Sequence, residues 1–162
     1  MIQYGTNYNP RLTTINPPLV LGPILPPVPA ASSLNTSNQR VLAIASGSAK
    51  ESGTIPETGT FLWIDVRDLA LLHVKALSSG EGQRFFATTG YFSNREIANI
   101  VRKNFPGLKD KVPGEDMKGG DYPEGGVYKY DNERAKALLG KPFIQLEDSI
   151  VDLVKSLEVE GA

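Results

Sequence analysis

The sequence has no cysteine and a single histidine in 162 residues. Without thiols there is no disulfide framework, no thiolate metal site and no cysteine nucleophile. One histidine is too few for a histidine-built metal cluster, and no metal site is expected. No apolar run approaches the roughly 20 residues that a membrane span requires. Neither sign of charge dominates: 17 Lys and Arg stand against 18 Asp and Glu, a formal net charge of −1. No global basic field therefore draws the chain to nucleic acid or acidic lipid. Met1 to Gly5 carry neither the basic nor the apolar segment of a secretory signal. A soluble cytoplasmic protein is the expectation. What is present, 40% apolar residues, suffices for one domain with a real core.

Charge is scarce in one region. Residues 1–50 hold Arg11, Arg40 and Lys50 and no acid, and seven of the 12 prolines precede residue 30. A segment so poor in charge is expected to pack against something.

The order of elements follows from periodicity and punctuation. Leu12 to Asn16 is a short β-branched run that reads as a strand. Pro17-Pro18 ends its hydrogen bonding, because proline has no N–H, and residues 18–29 read as a proline-punctuated loop. Residues 31–46 fit a helix and 47–59 a polar linker. Residues 61–64 fit a strand. Asp65 is placed to cap a helix over 66–78, with Val66, Leu69, Ala70, His73 and Leu77 as its apolar stripe. Residues 83–88 read as a strand. Ser93-x-x-Glu96 is a capping box for a helix over 94–104. A Gly/Lys/Asp/Pro-rich loop spans 107–127. A strand at 127–130, a helix at 132–139 capped by Asp131 and closed by Gly140, and a helix at 146–157 complete the chain. Alternating strands and helices make the class α/β, and the visible strands are few for an independent domain of this length.

Chemistry-bearing patterns are sparse. There is no glycine-rich dinucleotide turn, no phosphate loop and no nucleophile elbow. A Ser–His–Asp triad could use His73 alone, whose place on an apolar stripe fits a core or interface residue. Asp65 and Asp68 could form an acid–base pair, or simply cap a helix. Asp116, Asp121 and Glu124 could hold a cation weakly, or be a solvated loop. Pro23-x-x-Pro26 and Pro26-x-x-Pro29 match a polyproline ligand without its basic anchor, so a structural loop is the simpler reading. No residue of the chain is a catalytic candidate on these grounds.

Blocks of sequence carry a further signal. Thr14-Ile15-Asn16-Pro17-Pro18-Leu19-Val20-Leu21-Gly22-Pro23, Leu34-Asn35-Thr36-Ser37-Asn38 and Trp63-Ile64-Asp65-Val66-Arg67-Asp68-Leu69-Ala70 occur in that order. Gly82-Gln83-Arg84-Phe85, Phe92-Ser93-Asn94-Arg95-Glu96-Ile97, Asn104-Phe105-Pro106 and Tyr130-Asp131-Asn132 follow. Together they resemble extended short-chain dehydrogenases/reductases of the epimerase/dehydratase superfamily. Within these, they resemble the fungal dihydroflavonol-4-reductase-like set of methylglyoxal, aldehyde and ketone reductases. The resemblance runs from Leu12 to the C-terminus.

It implies the C-terminal part of a Rossmann-like NAD(P)-binding fold, with residues 1–79 ending the cofactor domain and 80–162 forming mainly the small substrate-binding domain. It implies NADP as cofactor, a small carbonyl compound as substrate, and reduction of that carbonyl to an alcohol. By the same resemblance Pro17, Pro18, Leu19 and Val20 pass the nicotinamide and Ser37 gives a hydroxyl to the cofactor phosphates. For Ser37 a helix cap is the alternative.

The family's glycine-rich turn and Tyr-x-x-x-Lys pair are missing. Four residues after Tyr4, Tyr8, Tyr91, Tyr122, Tyr128 and Tyr130 stand Tyr8, Leu12, Arg95, Gly126, Asn132 and Arg134. Three readings stay open: an inactive piece of a reductase, one half of a split reductase needing a partner chain, and a binding module using the proline loop. The strand at 12–16 is expected to show an open edge and to make the isolated chain poorly soluble.

Overall fold

The computed structural model describes residues 12–25, 33–79 and 82–159. Met1–Arg11, the Pro26-x-x-Pro29 repeat, the first two residues of the helix expected over 31–46 and the expected boundary at Gly80 lie outside them. The strands are β1 (Thr14–Asn16), β2 (Leu19–Leu21), β3 (Leu62–Asp65), β4 (Arg84–Phe86) and β5 (Gly90–Tyr91). The helices are α1 (Thr36–Ser46), α2 (Ser48–Glu51), α3 (Val66–Ala76), α4 (Asn94–Asn104), α5 (Glu133–Leu139) and α6 (Leu146–Val159).

The strands form two small sheets. β1 runs parallel to β4, with Ile15 opposite Phe85. β2 runs parallel to β3, with Leu19 opposite Trp63, and β5 is antiparallel on the other side of β3. The chain crosses from one sheet to the other twice. Pro17-Pro18 separates β1 from β2, and Ala87 to Thr89 separates β4 from β5. At those points the paired strands diverge and β3 enters between them. Proline, lacking an N–H, is suited to ending the first ladder there. The Leu19-Val20-Leu21 run, read from sequence as loop, is therefore a strand: its prolines flank it and do not interrupt it.

β3 is buried along its length, and its alternating side chains serve two cores. Trp63 packs with Leu21, Val41, Ile44, Phe92, Ile97 and Ile150 on one side. Ile64 packs with Leu72, Phe85, Ala135 and Leu139 on the other. Helices thus cover both faces, as an α/β fold with parallel strands requires. No described helix is long and apolar enough to cross a membrane.

Several local expectations are corrected. The stripe assigned to α3 is out of register. Asp68 and Leu72 are buried, whereas Val74 and Leu77 are 63% and 87% exposed and His73 is exposed with Nδ1 2.8 Å from the Leu69 carbonyl. Helical periodicity alone does not say which face meets the sheet. The expected linker at 47–59 contains α2, and Ile55 within it is buried. Ile55 bridges to Gly119, whose φ of 96° and closeness to the Ile55 carbonyl suit only glycine. Residues 127–130 form no strand. Ser93 caps α4 by accepting from the Glu96 N–H at 3.2 Å. The Glu96 carboxylate does not complete a capping box; it accepts from the Tyr122 hydroxyl at 2.7 Å.

Candidate functional site

The residues marked by sequence, Pro17 to Val20 and Ser37, come together. α1 is capped by Asn35, whose Oδ1 accepts from the Asn38 N–H at 3.2 Å. Ser37 is therefore not the cap. Its largely buried Oγ accepts from the Val20 N–H at 3.3 Å, and Asn35 Nδ2 donates to the Val20 carbonyl at 3.5 Å. These two bonds hold the first turn of α1 against β2. Pro17 is exposed and Pro18, Leu19 and Val20 are half-buried, so the turn remains accessible. A surface turn with a helix N-terminus beside it is a fitting place for the edge of an anionic cofactor.

The carboxylates at the head of α3 are structural. Asp65 is fully buried. It caps α3 by accepting from the Arg67 N–H at 2.8 Å, and the Arg67 Nε and Nη2 each reach it at 2.9 Å. Burial alone raises the Asp65 pKa; hydrogen bonds from Arg67, with the nearby Ser149 hydroxyl and the Arg67 charge, outweigh it and bring it below its ordinary value. Arg67 Nη1 continues to Asp152 at 2.7 Å, tying α3 to α6. Gly22, at φ 125°, lies against this carboxylate: a Cβ there would come within 3.0 Å of Asp65 Oδ2. Asp68, also fully buried, caps nothing in its own helix. It accepts from Lys141 Nζ and from the Ile144 N–H. Both acids are fully buried, and both carboxylate oxygens of each are engaged in bonds that tie elements of the fold together.

The acidic loop is likewise engaged in part. Asp121 accepts from Arg95 Nε at 2.9 Å and from Nη2 at 3.1 Å, while Asp116 and Glu124 are exposed. An open cleft of about 740 Å³ runs beside α4, lined by Arg95, Asn99, Arg102, Lys103, Lys109 and Asp121 among others. Three of the four cations that line it are already paired, Arg95 with Asp121, Arg102 with Glu115 and Lys103 with Glu147.

Sequence reading missed an aromatic cluster. Tyr91 and Tyr130 meet edge to face at 5.0 Å, and Phe61 and Tyr122 pack with tilted rings 5.7 Å apart. The Tyr91 hydroxyl donates to the Tyr128 carbonyl at 2.8 Å, and the Tyr128 hydroxyl accepts from the Phe61 N–H at 3.3 Å. The cluster lies at the Pro17 end of the β2–β3–β5 sheet. Trp63 is opposite Leu19, so Phe61 is level with Pro17. With strands about 4.8 Å apart, β5 lies about 10 Å across the sheet from β2. The available signal was four tyrosines crowded into residues 91–130. Neither Tyr122 nor Tyr130 is tuned as a proton donor. Burial and the Glu96 carboxylate raise the Tyr122 pKa, and burial and Tyr91 raise that of Tyr130, whereas proton transfer near neutrality needs a lowered one.

No protein-family profile matches the chain. Individual proteins do. It is 42% identical over 148 residues to the ketoreductase azaE of Aspergillus niger, covering 90% of this chain and 43% of that protein. It is 34% identical over 156 residues to the NADPH-dependent methylglyoxal reductase GRE2 of Saccharomyces cerevisiae, covering 93% and 44%. The crystal structure of yeast methylglyoxal/isovaleraldehyde reductase Gre2 complexed with NADPH superimposes with a TM-score of 0.73 at 31% identity, over 93% of this chain and 44% of that one. Gre2 from Candida albicans gives a TM-score of 0.73 at 27% identity, over 98% and 47%. The chain thus spans less than half the length of these relatives. The homologues of this chain are oxidoreductases of the extended short-chain dehydrogenase/reductase type; the chain matches their C-terminal part, and its α/β architecture matches their Rossmann-like structures.

Proposed function

We propose that the chain supplies the C-terminal part of an NADPH-dependent oxidoreductase that reduces aldehyde or ketone carbonyls of small molecules to alcohols. Residues 1–79 end the cofactor domain in this reading, and 80–162 form mainly the substrate-binding region. The relatives are named as NADPH-dependent reductases and ketoreductases, and the observation that carries the reading further is the Val20–Ser37 hydrogen bond. It joins two separate blocks of the resemblance at one accessible place.

Pro17, Pro18, Leu19 and Val20 would border the nicotinamide, and Ser37 at the start of α1 would face the cofactor phosphates, where the helix dipole favours negative charge. The cofactor, when bound, supplies the hydride. This chain's part is to fix the position of that edge. The proton donor would come from a Tyr-x-x-x-Lys pair that these 162 residues do not contain. The chain alone is therefore inactive.

A second reading, one half of a split reductase acting with a partner chain, is favoured by β1. Its strand neighbour among the described residues is β4 on one side. Mixing the chain with a separately expressed N-terminal half of yeast GRE2 tests both. Saturable NADPH binding and NADPH-dependent reduction of methylglyoxal by the mixture, absent from either half, are expected. Turnover by the chain alone would show that the chemistry resides elsewhere.

A further inference from the structure

Arg40 lies one turn beyond Ser37 on α1. Residues three apart on a helix place their Cβ atoms about 5–6 Å from one another, so both side chains leave the same side of the helix. Arg40 is half-buried, and burial lowers its pKa. Protein groups engage one of its nitrogens. Nη1 donates to the Thr58 carbonyl at 2.7 Å and to Asn94 Oδ1 at 3.1 Å. The guanidinium carbon sits 5.9 Å from the centre of the Phe92 ring.

A guanidinium carries five N–H donors in a fixed fork. The two on Nη1 are accounted for. The three on Nε and Nη2 have no partner among the described residues. Nor does Arg40 form an ion pair there: the arginines that do are Arg67, Arg95 and Arg102. Residues 1–50 contain no acid, and Glu57, beside Thr58, is exposed and unpaired with it.

Partial burial of a cation without a counter-charge is costly. Holding the Thr58 carbonyl does not require it, because an uncharged amide could donate there. The Nε–Nη2 edge is the side of arginine that takes a carboxylate or phosphate through two parallel hydrogen bonds. Ser37 and the Pro17–Val20 turn lie one helical turn away.

We propose that Arg40 recognises an oxyanion, the carboxylate or phosphate group of a small-molecule ligand, through its Nε–Nη2 edge. That the ligand lies beside the Pro17–Val20 turn rests on the functional reading above; the oxyanion contact itself does not.

The test uses the full ¹⁵N-labelled chain and three probes: phenylglyoxylate, its uncharged counterpart acetophenone, and inorganic pyrophosphate. The Arg40 Nε–H resonance, identified by its loss in Arg40→Gln, is expected to shift with an anion and not with acetophenone. Response to phenylglyoxylate marks the carboxylate of a carbonyl compound; response to pyrophosphate marks a nucleotide phosphate. Arg40→Gln should weaken the responding anion about tenfold or more. Arg40→Lys, which keeps the charge and loses the fork, should fall between, and it carries the test should the glutamine variant unfold. The proposal is overturned if neither anion at millimolar concentration moves the resonance, or if the Arg40 variants bind as the parent does. Failure of the mixture with the N-terminal half of yeast GRE2 to bind NADPH or turn over would instead count against the functional reading.

Discussion

Asp68 Oδ2 accepts the Ile144 N–H at 2.7 Å across 76 residues of sequence, and its other oxygen holds Lys141. A buried carboxylate on α3 thereby fixes the approach to α6. Asp68→Ala leaves the Ile144 N–H without its acceptor and Lys141 without its partner. The expected loss is about 2–4 kcal/mol, read as a lowered urea midpoint. Asp68→Asn, able to keep the bond to Ile144, should lose less.

Asp65 gives the chain an acid-sensitive element. Its folded-state pKa lies below the unfolded value, because the Arg67 bonds outweigh burial. The associated stability is fully present above about pH 5 and is lost as pH falls through the usual carboxylate range of about 4 and below. Asp65→Asn retains the cap and loses the ion pair with Arg67. The variant should be less stable than the parent at pH 7 and approach it at pH 3 in thermal melts.

Ser37→Ala removes the acceptor of the Val20 N–H. In the chain alone it should cost about 1 kcal/mol. In the mixture with the N-terminal half of yeast GRE2 it should weaken NADPH binding more than Asp121→Ala does, measured by fluorescence titration. Equal effects would detach Ser37 from the cofactor.

Gly119 and Gly107 offer a paired test of backbone freedom. At Gly119, with its φ of 96°, a Cβ would collide with the Ile55 carbonyl oxygen, whereas at Gly107 nothing stands within 4 Å. Gly119→Ala should destabilise by more than about 2 kcal/mol. Gly107→Ala should be neutral or slightly stabilising in the same denaturation assay.

Exposed apolar groups at the C-terminal end of α3 and on its cap residue Leu77 should govern solubility. Leu77 is 87% exposed and Val74 63%. Leu77→Lys should change stability by no more than about 0.5 kcal/mol and reduce association seen by size-exclusion chromatography.

Local rules that depend on neighbouring residues were legible in the sequence. Asp65 and Ser93 cap helices because the first-turn N–H groups need acceptors and these side chains stand next to them. The α/β class followed from alternating patterns, and the ordered blocks from Thr14 to Asn132 pointed to the reductase family before any geometry. The tertiary structure decided what depends on distant partners. It turned Leu19-Val20-Leu21 into a strand by giving it β3 as a neighbour, and it rotated His73 to the surface by burying Asp68 and Leu72. Asp68 became a tie to Ile144, Phe61 was gathered with four tyrosines, and Arg40 was left with an unpaired edge. Capping and helical period are properties of adjacent residues. The face that is buried, and the groups that meet across 37 or 76 positions, depend on how the elements pack.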